Sequence, residues 1–132
     1  MILVDTSAWV EFDRATGSLV DARLTDLIAH TDEIAVTEPV TMEVLAGARS
    51  DQREQELRRL MGRFELLRFD AGVDFDAAAR IYRMCRRSGV TPRGMVDCMI
   101  AAVALRNGAS LLAADEDLDR VAGIMSIPMT TF

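Results

Sequence analysis

Near the N-terminus the apolar run Ile2-Leu3-Val4 meets Asp5, and near the other end the run Ser110–Ala114 meets Asp115. Runs this short and apolar suit strands covered on both faces, the kind found in parallel sheets. A strand that ends on aspartate delivers a carboxylate at its carboxyl end. Glu43 and Asp97 are two further carboxylates set in apolar stretches. Burying a carboxylate alone costs several kcal/mol, so acids inside a domain are paired or hold a cation. Four of them in one small chain point to an acidic pocket that takes a divalent cation.

The 132 residues, half of them hydrophobic, fit a single domain over 1–132 that builds its core without disulfides. Aromatics are only 5%, so that core is mostly aliphatic, with eight methionines filling gaps. A net charge of −6 argues by itself against a nucleic-acid partner, since phosphate contacts need cations. Two facts weaken that argument. All 15 basic residues are arginine, whose planar fork suits phosphate, and a bound cation would offset the acids locally. The missing lysine itself reads best as a coding bias. Cys85 and Cys98 lack zinc or CxxC spacing and read as reduced, buried thiols of a cytoplasmic protein. No signal peptide or membrane span is legible.

The chain alternates strand and helix signals. Strands are expected at Ile2–Asp5, Glu33–Val36, Leu66–Phe69 and Ser110–Ala114, with an edge strand over Met129–Phe132. Helices are expected from Ala8 to about Arg14, capped by Thr6 or Ser7, then over Leu19–His30, from Thr37-Glu38-Pro39 onward, from Asp51 to near Gly62, and over Asp74–Ser88, Gly94–Asn107 and Asp117–Ile124. In the fifth helix Phe75, Ala78, Ala79, Tyr82 and Cys85 share one side. Such alternation implies an α/β fold with helices on both faces of a parallel sheet, and ligands then bind beyond the carboxyl ends of the strands.

Asp97 shares a helix face with Ile100, Ala101 and Ala104, and reads as a mid-helix acid facing the sheet. Glu43 lies between Val40 and Gly47 and reads either as a site residue or as half-exposed and paired with an arginine. Asp5 and Asp115 have the ordinary alternative of capping the helices that follow them. Oxygen-only donors without histidine or cysteine favour Mg²⁺ or Mn²⁺ over zinc. His30, the sole histidine, reads as surface, so the chemistry must come from metal-activated water rather than a histidine base.

Val4-Asp5-Thr6-Ser7-Ala8-Trp9, the isolated Glu43, Asp97-Cys98-Met99-Ile100-Ala101-Ala102 and Leu111-Leu112-Ala113-Ala114-Asp115 resemble the motifs of PIN-domain ribonucleases. Length and spacing resemble the VapC toxins of bacterial toxin–antitoxin pairs. The resemblance implies a PIN-like three-layer α/β/α sandwich on a mainly parallel sheet of about five strands. It implies Mg²⁺- or Mn²⁺-dependent hydrolysis of RNA, tRNA or a ribosomal loop, with Asp5, Glu43, Asp97 and Asp115 as catalytic metal ligands. Thr6 and Ser7 match hydroxyls that help hold metal-bound water, and Asp117 is a second candidate beside Asp115. A VapB-type antitoxin and a homodimer are the implied partners. Ala113 stands where many relatives have threonine, and Leu118 where an aromatic is common.

Arg80, Arg83, Arg86, Arg87 and Arg93 are expected either to border an RNA groove or to form a solvated, ion-paired face. Arg49, Arg53, Arg58, Arg59 and Arg63, interleaved with Glu54 and Glu56, fit the second description better. Trp9 and Phe12, three apart on the first helix, are expected either to form an antitoxin groove or to pack in the core, with core packing favoured for one of the two. A catalytically inactive PIN-fold interaction module is the alternative function. A phosphoryl-accepting receiver domain needs a lysine, and a DxD phosphatase needs an aspartate where Ser7 stands.

Overall fold

The computed structural model describes residues 1–130. In chain order the elements are β1 (Ile2–Val4), α1 (Thr6–Asp13), α2 (Leu19–His30), β2 (Ile34–Val36), α3 (Glu38–Ala46), α4 (Asp51–Met61), β3 (Glu65–Leu66), α5 (Asp74–Arg87), α6 (Met95–Asn107), β4 (Ser110–Leu112) and α7 (Glu116–Met125). Side-chain caps fix several helix starts. Ser18 accepts the Asp21 amide and Ser50 the Arg53 amide, each satisfying an otherwise orphaned N–H. Gly108, in the left-handed conformation, ends α6 and turns the chain into β4.

The sheet is parallel throughout in the order β3-β2-β1-β4. Ile2 lies opposite Ile34 and Ser110, and Leu3 opposite Ala35 and Leu111. Leu3, Val4, Leu111 and Leu112 have no exposed surface, as strands covered on both faces require. On the outer side of β4, Leu111 makes a single parallel bridge to Met129. Among the described residues the sheet thus has four strands rather than about five, with this one bridge where the edge strand was expected; Thr131 and Phe132 lie outside the described residues.

The first two crossovers step one way along the sheet and the third steps back across it. Right-handed connections then put α1–α4 on one face and α5–α7 on the other. The packing agrees: α1 lies on α2 and α3, α3 on α4, and α6 on both α5 and α7. The chain therefore leaves β1 toward one face and neighbouring β4 toward the other, which makes their carboxyl ends the switch point of the sheet. Among the described residues no helix is long and apolar enough to cross a membrane.

Several details differ from the sequence expectation. Strand β4 stops at Leu112 rather than Ala114, so Asp115 stands three residues past it as the cap of α7. The first helix starts at Thr6 and is capped by Asp5, whose carboxylate takes the Ser7 amide. Strand β3 stops at Leu66 rather than Phe69, because its partner β2 ends at Val36; the Phe69 amide turns instead to the Glu38 carboxylate. On α5 the buried side is Asp74, Ala78, Ile81 and Cys85, while Phe75 is exposed against Phe69 and Ala79 is exposed. Asp97 is not mid-helix but lies in the first turn of α6, where the helix dipole favours an acid.

Candidate functional site

The amide of Asp5 donates to the Leu112 carbonyl (2.8 Å), which ties the end of β1 to the end of β4. The Asp5 side chain is thereby buried, with the residue 3% exposed. Its two oxygens have different duties. Oδ2 takes both the amide (3.1 Å) and the hydroxyl (2.6 Å) of Ser7. Oδ1 is buried and receives no donor. Burial outweighs the Ser7 bonds, and Glu43 adds repulsion, so this carboxyl sits above the usual carboxylate range.

The hydroxyls of Thr6 and Ser7 orient acids. Thr6 Oγ1 donates to Glu43 Oε1 at 2.6 Å across thirty-seven positions of sequence. Glu43 is half-buried, and its partner is this hydroxyl rather than an arginine. Ser7 Oγ, besides donating to Asp5, accepts the Ala114 amide at 2.9 Å, linking α1 to the turn after β4.

Asp97 rests on α6 above Ile100, Ala101 and Ala104, all fully buried. Burial, then repulsion from Asp5, Asp115, Glu43 and Asp117, pushes its carboxyl up to about 7. Asp115 caps α7 through Oδ1, which takes the Asp117 amide (2.9 Å). Arg93 Nη2 stands 3.6 Å from that same Oδ1 and 2.8 Å from Asp117 Oδ2. Asp117 is also held by Arg120 (3.0 Å).

Asp5, Glu43, Asp97 and Asp115 all line one cleft of about 390 Å³, together with Thr6, Ser7 and Arg93. Asp117 does not line it. The cleft opens where the sheet changes direction, as the architecture requires. Its donors are oxygens only, with neither histidine nor cysteine in the walls. The unpartnered Asp5 Oδ1 and the crowded Asp97 carboxyl both favour a hard divalent cation, so these residues fit one. Among the described residues no three of them stand in the close geometry of a finished cation cage.

Other expectations resolve locally. His30 is exposed and bonded to Asp26. Cys85 and Cys98 are free and buried. Trp9 is buried against Phe12 and Phe64, while Phe12 is partly buried. Arg53 pairs with Asp13 and Arg58 with Glu54, as a solvated face should. Arg80 pairs with Asp76, whereas Arg83, Arg86 and Arg87 meet no carboxylate among the described residues. Ala113 is buried outside the cleft, and Leu118 fills core. The residue undervalued in the sequence is Arg93. Grouped with the α5 arginines, it instead enters the cleft, and its place four residues before Asp97 was the available signal.

A family model described as "PIN domain" matches residues 2–124. The VapC ribonuclease Mb1587 of Mycobacterium bovis and ribonuclease VapC11 of Mycobacterium tuberculosis are each 44% identical over 133 aligned positions, covering all of this chain and 99% of theirs. Among solved structures, VapBC2 from Rickettsia felis, bound to a DNA fragment from its promoter, has a chain that superposes with a TM-score of 0.75 at 18% identity. The match covers this whole chain and 99% of that one. At that identity the likeness speaks for the fold.

Proposed function

This chain belongs to the PIN-domain family, and on that premise we infer that it is the ribonuclease toxin of a VapBC-type pair, hydrolysing RNA with the help of a divalent cation. The observation that carries the reading is the meeting of four carboxylates in one cleft, from the caps of α1 and α7 and from α3 and α6, with one buried carboxylate oxygen left without a donor. Asp5 through Oδ1, with Glu43, Asp97 and Asp115, would hold Mg²⁺ or Mn²⁺. Such an ion supplies a Lewis acid for the phosphodiester and acidifies bound water.

The chain's own groups do the rest. Ser7 fixes the rotamer of Asp5 and Thr6 that of Glu43, so two acids are oriented before substrate arrives. Asp97, near neutrality in pKa, is poised to lose its proton as a cation approaches. Arg93, the one basic residue lining the cleft among the described residues, would meet an RNA phosphate.

The partner of such a toxin is a VapB-type antitoxin, the kind of protein with which the structural relatives are complexed. A tRNA or ribosomal RNA substrate, a homodimer and a cytoplasmic location complete the reading, with residues 1–132 as one domain. Exposed Val73, Met84 and Leu105 around a groove between α5 and α6 support the dimer. The deciding experiment is cleavage of total RNA by the purified protein in Mg²⁺ or Mn²⁺, then in EDTA. Cleavage that persists in EDTA, or in a folded Asp97→Asn variant, removes the proposal.

A further inference from the structure

We propose that Arg93 is a built-in stand-in for the divalent cation at the Asp115–Asp117 corner, and that it passes from this corner to an RNA phosphate when the cation binds. The inference rests on the metal-dependent ribonuclease reading above. Its starting point is geometric. One guanidinium nitrogen lies 2.8 Å from Asp117 and 3.6 Å from Asp115, and Arg93 is the only basic residue lining the acidic cleft among the described residues. It therefore sets a positive charge beside Asp115, one of the four acids that would hold the cation, while anchored more closely to Asp117 outside the cleft.

Two features make the arrangement exchangeable rather than structural. The Arg93 side chain is 74% exposed, and an ion pair so wet is weak and easily given up. Its backbone, in contrast, is held between two defined neighbours. Pro92 before it is buried, and Gly94 after it caps α6 in extended conformation, immediately ahead of Asp97. The head group can swing while its root stays at the rim of the cleft. Asp117 has a second holder in Arg120 at 3.0 Å, so it remains paired when Arg93 leaves. A guanidinium released at this rim presents a planar fork that matches two phosphate oxygens, which an ammonium does not.

Competition for the corner and service to the substrate predict effects of opposite sign from one substitution. Thermal melts across a Mn²⁺ series, run beside cleavage of a single RNA, read both for wild type, Arg93→Ala and Arg93→Lys. Arg93→Ala should reach its half-maximal stabilisation at about threefold less Mn²⁺ or lower, while its KM for RNA rises by about fivefold or more with a smaller change in kcat. Arg93→Lys, a point charge without the fork, should keep the wild-type Mn²⁺ response but recover little of the KM. An unchanged or higher Mn²⁺ requirement in Arg93→Ala overturns the stand-in role, and an unchanged KM overturns the transfer to phosphate. If Arg93→Ala does not fold, the uncharged Arg93→Gln is read by the same criteria. A wild type whose melt ignores Mn²⁺ overturns the metal-dependent reading itself, and the inference with it; a responsive wild type beside an identical Arg93→Ala overturns the inference alone.

Discussion

Helices α5 and α6 lie against each other, and each end of the pair carries an inward acid. At one end Asp74, in the first turn of α5, is 1% exposed and takes two hydrogen bonds from Arg106 in the last turn of α6 (3.0 and 2.8 Å). The guanidinium holds the Asp74 carboxyl below its usual range. At the other end Asp97 opens α6, meets four other acids and is pushed up to about 7. Both acids sit in first turns that favour negative charge. What differs is the company. The paired end is neutralised by a buried contact, and the other end keeps an excess of negative charge that the exposed Arg93 meets only in part.

The largest effect expected from this contrast is on catalysis. Asp97→Asn should lose several kcal/mol of transition-state stabilisation, about a thousandfold or more in rate, while its thermal midpoint without metal is equal to or above wild type. An RNA cleavage assay paired with a melt checks both halves, and a large fall in stability would erase the contrast. Arg106→Ala should do the reverse. It strands Asp74 and, discounted for the 37% exposure of Arg106, should cost about 2 kcal/mol in denaturant unfolding, with kcat of the folded fraction kept.

The two ends should also answer pH with opposite signs in protein freed of metal by EDTA. Asp97 has a raised folded pKa, so its contribution is fully present below about 4 and is lost as pH rises through about 7, on the order of 2 kcal/mol after allowance for partial exposure. Asp74 has a lowered folded pKa; its contribution is present above the ordinary carboxylate range and is lost as pH falls through the lowered value. Denaturant midpoints measured from pH 4 to 8 should decline in wild type and stay flatter in Asp97→Asn; parallel curves would break the comparison. The smallest effect is sought at Ser7→Ala. Losing the hydroxyl that donates to Asp5 and accepts from Ala114 should cost about 1 kcal/mol and lower the cleavage rate at unchanged KM.

Much of this was legible in order of local strength. The expected starts of α2 at Leu19 and of α4 at Asp51 hold in the structure, where Ser18 and Ser50 cap them, because capping is a contest between a side chain and its own neighbouring amides. The strands that precede Asp5 and Asp115 were visible because a run buried on both faces is apolar at every position, although β4 gives out at Leu112, three residues before its aspartate. The buried side of α5 was not. Phe75 and Ile81 both satisfy helical spacing, and the choice between them was made by Arg106 drawing Asp74 inward. Asp5 shows the same boundary inside one residue. Capping and site duty read as alternatives in the sequence, yet in the structure capping occupies only Oδ2 and leaves Oδ1 without a donor.

The order of residues by itself determined the alternation of strands and helices, the two strand-end aspartates and the family motifs, since each rests on a few neighbours along the chain. Tertiary structure alone decided which carboxylate gained a guanidinium and which gained only other carboxylates. Charge interactions depend on distance and burial, and both are set by how β1, α3, α6 and β4 come together rather than by any of them separately.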